Sequence, residues 1–113
     1  MTDCVFCRIA RGEIDARVVA EGPEWLAFRD LQPKAPTHVL LVPKRHVTNV
    51  DALADEDVGL AGVLLAACRA VAAAEGLEDG YRVVTNVGED GGQSVSHLHL
   101  HILGGRRMGW PPG

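Results

Sequence analysis

The chain reads as an α+β fold: a five-stranded, mainly antiparallel sheet carrying one long helix and a short N-terminal helix. Three observations predict it. Five short β-rich runs are bounded by Gly, Pro or charged turns. A single stretch, roughly Asp55 to Glu75, has apolar residues at three- and four-residue steps. The runs do not alternate with helical segments, so a parallel βαβ sheet is excluded. With 113 residues and no internal repeat or linker, the expectation is one domain, residues 1–113, ending in a C-terminal tail over 104–113.

The elements follow in order. Val5 to Arg11 predicts a short helical turn stopped by Gly12, with Val5, Phe6, Ile9 and Ile14 along one side. Arg17–Glu21 and Glu24–Asp30 predict a hairpin around Gly22-Pro23. In its second strand Trp25, Ala27 and Arg29 alternate with Leu26, Phe28 and Asp30. Two prolines make Leu31–Thr37 a loop, and His38–Pro43 reads as a buried strand leading to the basic Lys44, Arg45 and His46. In the long helix, Asp55, Glu56 and Asp57 suit the positive N-terminal end and Gly76 suits the C-terminal cap. Leu60, Val63, Leu64, Ala67, Val71 and Ala74 form its predicted buried stripe, and Ala66, Ala70, Ala72 and Ala73 let it approach a sheet closely. Tyr81–Val87 is the fourth β-rich run.

The fifth run carries chemistry. Between Gly91 and Gly104, His97, His99 and His101 sit at every second position, with Leu98, Leu100 and Ile102 between them. A strand sends alternate side chains to opposite faces, about 6.6–6.8 Å apart along each face. Three imidazoles then share one row and three aliphatic side chains enter a core. A Gly-rich turn ending in Gln93 and Ser94 precedes the row and offers backbone N–H groups to an anion.

Three readings of the row stand side by side. The imidazoles could be solvated decoration of an edge strand. His99 and His101 could bind a metal, as His-x-His pairs on strands do. Or one neutral imidazole could attack phosphorus, with its other nitrogen oriented by an acceptor, a second group protonating the leaving group, and donors facing the phosphoryl oxygens. Only the last uses the turn and His38.

Composition narrows the partners. The net charge of −4 argues against a nucleic-acid surface. The first residues lack an apolar leader, and no run approaches membrane-spanning length, so a soluble, cytoplasmic protein is expected. Three cysteines are too few for a disulfide framework, and Cys68 belongs to the helix core. The Cys4-x-x-Cys7 pair reads as a redox dithiol, as packing in a short helix, or as half of a zinc site completed by His46 and His97.

His97-Leu-His99-Leu-His101-Ile-Leu resembles the histidine-triad signature. So do Cys-x-Phe-Cys at Cys4, Ala-Phe-Arg-Asp at Asp30, Ala-Pro-Thr-His at His38, Pro-Lys-Arg-His at His46, Asp-Gly-Gly-Gln-Ser before the triad and the final Trp-Pro-Pro-Gly. Together they resemble the Hint branch of the histidine-triad nucleotide-binding family across nearly the whole chain.

The resemblance implies a purine nucleoside phosphoramidase. Such enzymes hydrolyse the P–N bond of adenosine or guanosine 5′-monophosphoramidates, or acyl and aminoacyl adenylates. His99 would be the nucleophile and His101 the phosphate-side partner, with His38 supporting the relay. Asn86, Gly92, Gln93 and Ser94 would hold the phosphate and leaving group, and Asp30 the ribose hydroxyls. Val5, Phe6, Ile9, Ile14, Phe28, Arg29, Leu31 and Leu40 would form the base pocket. It also implies a structural zinc on Cys4, Cys7, His46 and His97, and a homodimer with one continuous sheet in which Trp110 reaches the partner's site. A dinucleoside polyphosphate hydrolase and a nucleotide-binding scaffold are the alternatives.

Overall fold

The computed structural model describes residues 4–113. The first three, part of the stretch read as lacking a leader, lie outside them. In chain order the elements are α1 (Val5–Ala10), β1 (Val18–Glu21), β2 (Trp25–Arg29), β3 (Thr37–Pro43), two short 3-10 turns, α2 (Val58–Ala74), β4 (Tyr81–Val84) and β5 (Leu100–Gly104). The strands form one sheet in the order β1-β2-β3-β5-β4, antiparallel throughout. The α+β architecture predicted from sequence is the one observed.

Period-2 alternation sorts side chains onto two faces of this sheet. Ala27, Val39, Leu41, Leu98, Leu100 and Ile102 meet Leu64, Ala67, Cys68, Val71 and Ala72 of α2. Leu26, Phe28, Leu40 and Val42 face the other way, against Phe6 of α1. The central strand β3 is therefore apolar at consecutive positions, since both its faces are covered. Arg29 follows the alternation: it emerges on the α2 face, where its guanidinium clamps Glu75 at 2.8 and 3.1 Å. That pair ties the end of β2 to the C-cap of α2, one residue before Gly76 (φ 74°) ends the helix.

Three sequence expectations need correction. The histidine strand is shorter than its pattern, for pairing starts only at Leu100, and β4 stops at Val84 rather than Val87. The backbone just before β5 bonds elsewhere: the Leu98 N–H donates to the Val47 carbonyl (2.6 Å), and the His99 carbonyl accepts from Thr85 Oγ1 (2.8 Å). In α2, Val63 and Ala74 face outward, as do Ala66, Ala70 and Ala73, while Cys68 and Ala72 take the buried stripe. Burial pushes the Cys68 thiol up to about 11, as befits a small core residue. Finally, Asp55–Ala74 is long and apolar enough, by length and composition, to cross a membrane. Asp55–Asp57 and Arg69 break the apolar run in sequence without lowering its average enough to matter. One side of this helix packs on the sheet.

Leu41 is fully buried between β2, β5 and α2, and Leu31 is 89% exposed. Leu41→Ala is expected to lower stability by about 2–5 kcal/mol in urea unfolding, and Leu31→Ala to change it by less than about 0.5 kcal/mol.

Candidate active site and metal cluster

On the α1 side of the sheet lies a cavity of about 390 Å³. Val5, Phe6 and Ile9 of α1 form one wall, followed by Ile14, Asp15, Ala16 and Arg17 from the turn after it. Phe28, Leu40 and the segment Arg29–Gln32 form the floor and lip, and Ser94, Val95, His99 and His101 close the far side. All the apolar residues predicted for a base pocket are thus brought together. Arg29 lines it while its guanidinium points to Glu75 on the other face. Asp15, Ala16, Arg17, Gln32 and Val95 were not predicted. They lie in turns, where no periodicity announces which side chain faces inward.

Phe6 is the hub of this wall. Its ring is edge-on to Phe28 at 5.5 Å, to His97 at 5.9 Å and to His99 at 5.2 Å, an arrangement that suits aromatic quadrupoles. Local sequence holds it there. The Cys4 sulfur caps α1 by accepting the Cys7 N–H (3.3 Å), and Gly12 (φ 77°) turns the chain out of the helix.

The triad histidines occupy distinct electrostatic positions. His99 Nδ1 lies 2.7 Å from the His97 carbonyl oxygen. A carbonyl only accepts, so Nδ1 carries the proton and Nε2 keeps its lone pair. No buried side-chain nitrogen or oxygen among the described residues lacks a partner, and His99 Nε2 has none among those residues, so that nitrogen is open on a ring that lines the cavity. His101 Nδ1 meets His38 Nε2 at 2.9 Å, and Asp30 Oδ2 stands 3.5 Å from the same His38 nitrogen. Burial lowers the His38 pKa against the pull of Asp30. Burial, reinforced by His99 and His38, lowers His101 to about 4. Both rings are neutral at pH 7.

The loop before the triad is built largely for its own shape. The turn needs glycine at two points: Gly92 has φ 76°, and a Cβ on Gly91 would fall 2.3 Å from the Val87 carbonyl oxygen. Gln93 is fully engaged internally: Oε1 accepts from Asn49 Nδ2 and the Gly88 N–H, each at 3.0 Å, while Nε2 donates to the Thr48 and Val95 carbonyls at 2.8 and 3.0 Å. Asn86 Nδ2 donates to the Gly91 carbonyl at 2.7 Å. Of Asn86, Gly92, Gln93 and Ser94, only Ser94 lines the cavity. Asn49, which pins Gln93, has no sequence signal beyond its role as a cap on the Val50–Ala52 turn.

Beside the cavity wall, Cys4 and Cys7 at the start of α1 carry a different chemistry. The ligand atoms of Cys4, Cys7, His46 and His97 all lie within 4.8 Å of one another. His97 Nδ1 is 3.2 Å from Cys4 Sγ and 3.5 Å from Cys7 Sγ, and His46 Nδ1 is 3.3 Å from Cys7 Sγ. The His97 Nε2–H is fixed by the Pro43 carbonyl at 2.9 Å, leaving the bare Nδ1 lone pair beside the two sulfurs, where it can serve as a metal ligand. Two thiols and two imidazoles at these separations fit a tetrahedral site for a borderline-soft divalent ion, whose ligand–ligand edges are about 3.3–3.8 Å. Burial and the neighbouring Cys4 push the Cys7 thiol up, a cost that a bound cation reverses.

The titration of His101 has a consequence for stability. Its folded pKa of about 4 lies below the ordinary 6.5, so protons bind the unfolded chain more tightly. The corresponding stability is complete above pH 6.5 and is lost as pH falls toward 4, by about 3 kcal/mol at most. Urea midpoints at pH 7 and pH 4.5 are expected to differ less in His101→Gln than in the parent chain.

The HIT domain family matches residues 11–108. An uncharacterised HIT-like protein of Synechococcus elongatus is 50% identical over 111 residues, covering 98% of this chain and 97% of its own length. The 14 kDa zinc-binding protein of Zea mays is 49% identical, over 96% of this chain and 87% of its own. The crystal structure of a HIT family hydrolase from Legionella pneumophila superposes with a TM-score of 0.95 at 53% identity, covering 98% of this chain and all of that one. With the histidines, the cavity and the sheet order in place, the chain belongs to the HIT domain family.

Proposed function

We propose that the protein is a purine nucleoside phosphoramidase acting through a covalent nucleotidyl-histidine. The observation that carries this reading is the His99 ring: Nδ1–H is held by the His97 carbonyl and Nε2 opens on the cavity. The purine lies between Phe6, Ile9, Phe28 and Leu40, and the phosphate sits among Ser94, His99 and His101. Nε2 attacks phosphorus as the P–N bond breaks, and the departing amine takes the Ser94 hydroxyl proton, which the attacking water restores in the second step. The imidazole becomes cationic once it carries the nucleotidyl group. The carbonyl at Nδ1–H stabilises that charge, and water then releases the nucleoside monophosphate. Asp30 orients the ribose while its Oδ1 also accepts the Gln32 N–H at 2.7 Å.

In this reading zinc occupies the Cys4, Cys7, His46 and His97 cluster as a structural ion, in keeping with the name of the maize relative. His97 is then a ligand and takes no part in acid–base work. The protein is also a homodimer. β4 is an edge strand with Tyr81 and Val83 exposed, and Trp110 is 84% exposed on a tail held against β4 by Arg82 and the Gly109 carbonyl. Pairing of two β4 edges covers these groups and continues the sheet.

Three measurements test the reading. Purified protein is expected to release AMP from adenosine 5′-phosphoramidate faster than from diadenosine polyphosphates, and His99→Ala to lose on the order of 10³-fold or more in kcat. Undiminished turnover in that variant overturns the mechanism. Elemental analysis should find one zinc per chain, absent in Cys7→Ser. Chelation should lower Tm, reducing activity only as far as folding is lost. Light scattering should give twice the 12.1 kDa of one chain, with Val83→Asp shifting the mass toward the monomer.

A further inference from the structure

We propose that the peptide N–H of Lys34, held in place by Arg106, is a positioning group that sets the tautomers of His38 and His101, so that His101 presents Nε2–H to the cavity. The tautomers follow from donors and acceptors alone. What they do for a phosphoryl group rests on the phosphoramidase reading.

The chain of constraints starts in the loop between β2 and β3. The Lys34 N–H lies 3.0 Å from His38 Nδ1. A peptide N–H can only donate, so His38 Nδ1 is the bare nitrogen and the proton of the neutral ring sits on Nε2. Two acceptors face that proton: His101 Nδ1 at 2.9 Å and Asp30 Oδ2 at 3.5 Å. His101 Nδ1 is therefore bare in turn, and its proton sits on Nε2. That nitrogen has no partner among the described residues. No buried polar side-chain atom among the described residues is left without one, so it opens to the cavity that His101 lines. A neutral His101 thus offers a hydrogen-bond donor, whereas the reversed tautomer would turn a lone pair toward a phosphoryl oxygen.

The donor works only if the loop is held. Asp30 Oδ1 accepts the Gln32 N–H at 2.7 Å, and Lys34 Nζ donates to the Gln32 carbonyl at 2.7 Å. Beyond the end of β5, Arg106 Nη2 donates to the Lys34 carbonyl at 3.1 Å. Gly105 (φ 92°) packs so close that a Cβ there would lie 2.8 Å from Pro36 Cβ. The segment that carries His101 therefore also braces, a few residues on, the residue whose N–H dictates its tautomer. Neither Lys34 nor Arg106 touches the cavity; both act through His38.

Long-range ¹H–¹⁵N correlation spectra of the wild-type protein at pH 7 read the tautomers directly. His38 and His101 are both expected to be protonated on Nε2 and bare on Nδ1; a protonated Nδ1 on His38 overturns the proposal. Lys34→Pro removes the N–H and should give mixed tautomers, with kcat for AMP release reduced about 10-fold or more and KM changed less than about threefold. Lys34→Ala keeps the N–H and should keep the wild-type tautomers. Arg106→Met should move in the direction of Lys34→Pro, with Arg106→Lys restoring the spectrum. These arms and the wild-type spectrum decide the matter if Lys34→Pro does not fold. An inactive wild-type protein with the expected tautomers would sink the phosphoramidase reading and leave this inference standing.

Discussion

The antiparallel register between β3 and β5 is the constraint on which the rest of the site depends. It places Leu40 opposite His101 and His38 opposite Leu103. His38 and His101 are then diagonal neighbours on one face, near enough for two rings to join at 2.9 Å. A slip of one residue would send His101 into the α2 core and bring leucines into the cavity. What prevents it is hydrophobic. Leu100 and Ile102 of β5, Leu98 just before it, and Val39 and Leu41 of β3 are nearly or fully buried under α2, and turning those five side chains to the other face would cost far more than any hydrogen bond in the site provides. The chemistry is held in register by a core that takes no part in it.

This explains which features could be read from sequence. The alternation of His97, His99 and His101 with aliphatic residues records the register, and it persists at Leu98 and His99 where no ladder hydrogen bond exists. The alternation in β2 likewise set Arg29 in the row of Trp25 and Ala27, and its guanidinium does leave on the α2 side while the residue still lines the cavity. The extent of β5 was not legible. It depends on where the Leu98 N–H and His99 carbonyl find partners, and those are the Val47 carbonyl and the Thr85 hydroxyl, remote residues with no mark in the local pattern. The partners of Gln93 were hidden for a related reason: a Gly-Gly-Gln-Ser turn advertises donors, but only the folded loop reveals that the amide makes four internal hydrogen bonds. The α2 stripe failed at Val63 and Ala74 because Ala-rich helices have weak faces, so small residues fit the buried and the outward side alike.

Carbonyl oxygens do much of the electrostatic work. The His97 carbonyl fixes the protonated nitrogen of His99, and the Pro43 carbonyl does the same for His97. Each ring is oriented by a backbone acceptor, so which nitrogen is bare in the neutral ring is determined by the fold. The free nitrogens differ: Nε2 of His99 faces the cavity and Nδ1 of His97 faces two sulfurs. Two histidines of one signature, two residues apart, are thereby given separate tasks by the atom each presents.

The helix α1 joins those tasks. Six residues are too few to persist as a helix alone, so its position is set by what its side chains touch. Cys4 and Cys7 reach His46 and His97, while Val5, Phe6 and Ile9 wall the cavity, and Phe6 contacts both His97 and His99. No rigid element separates the cluster from the pocket; the same turn of helix forms part of both. Whatever draws the four donors together therefore also sets the wall against which a base would stack, and a base pressed against Phe6 reports back on the spacing of the donors. Any coupling between the two places would be reciprocal, each altering affinity at the other by the same factor.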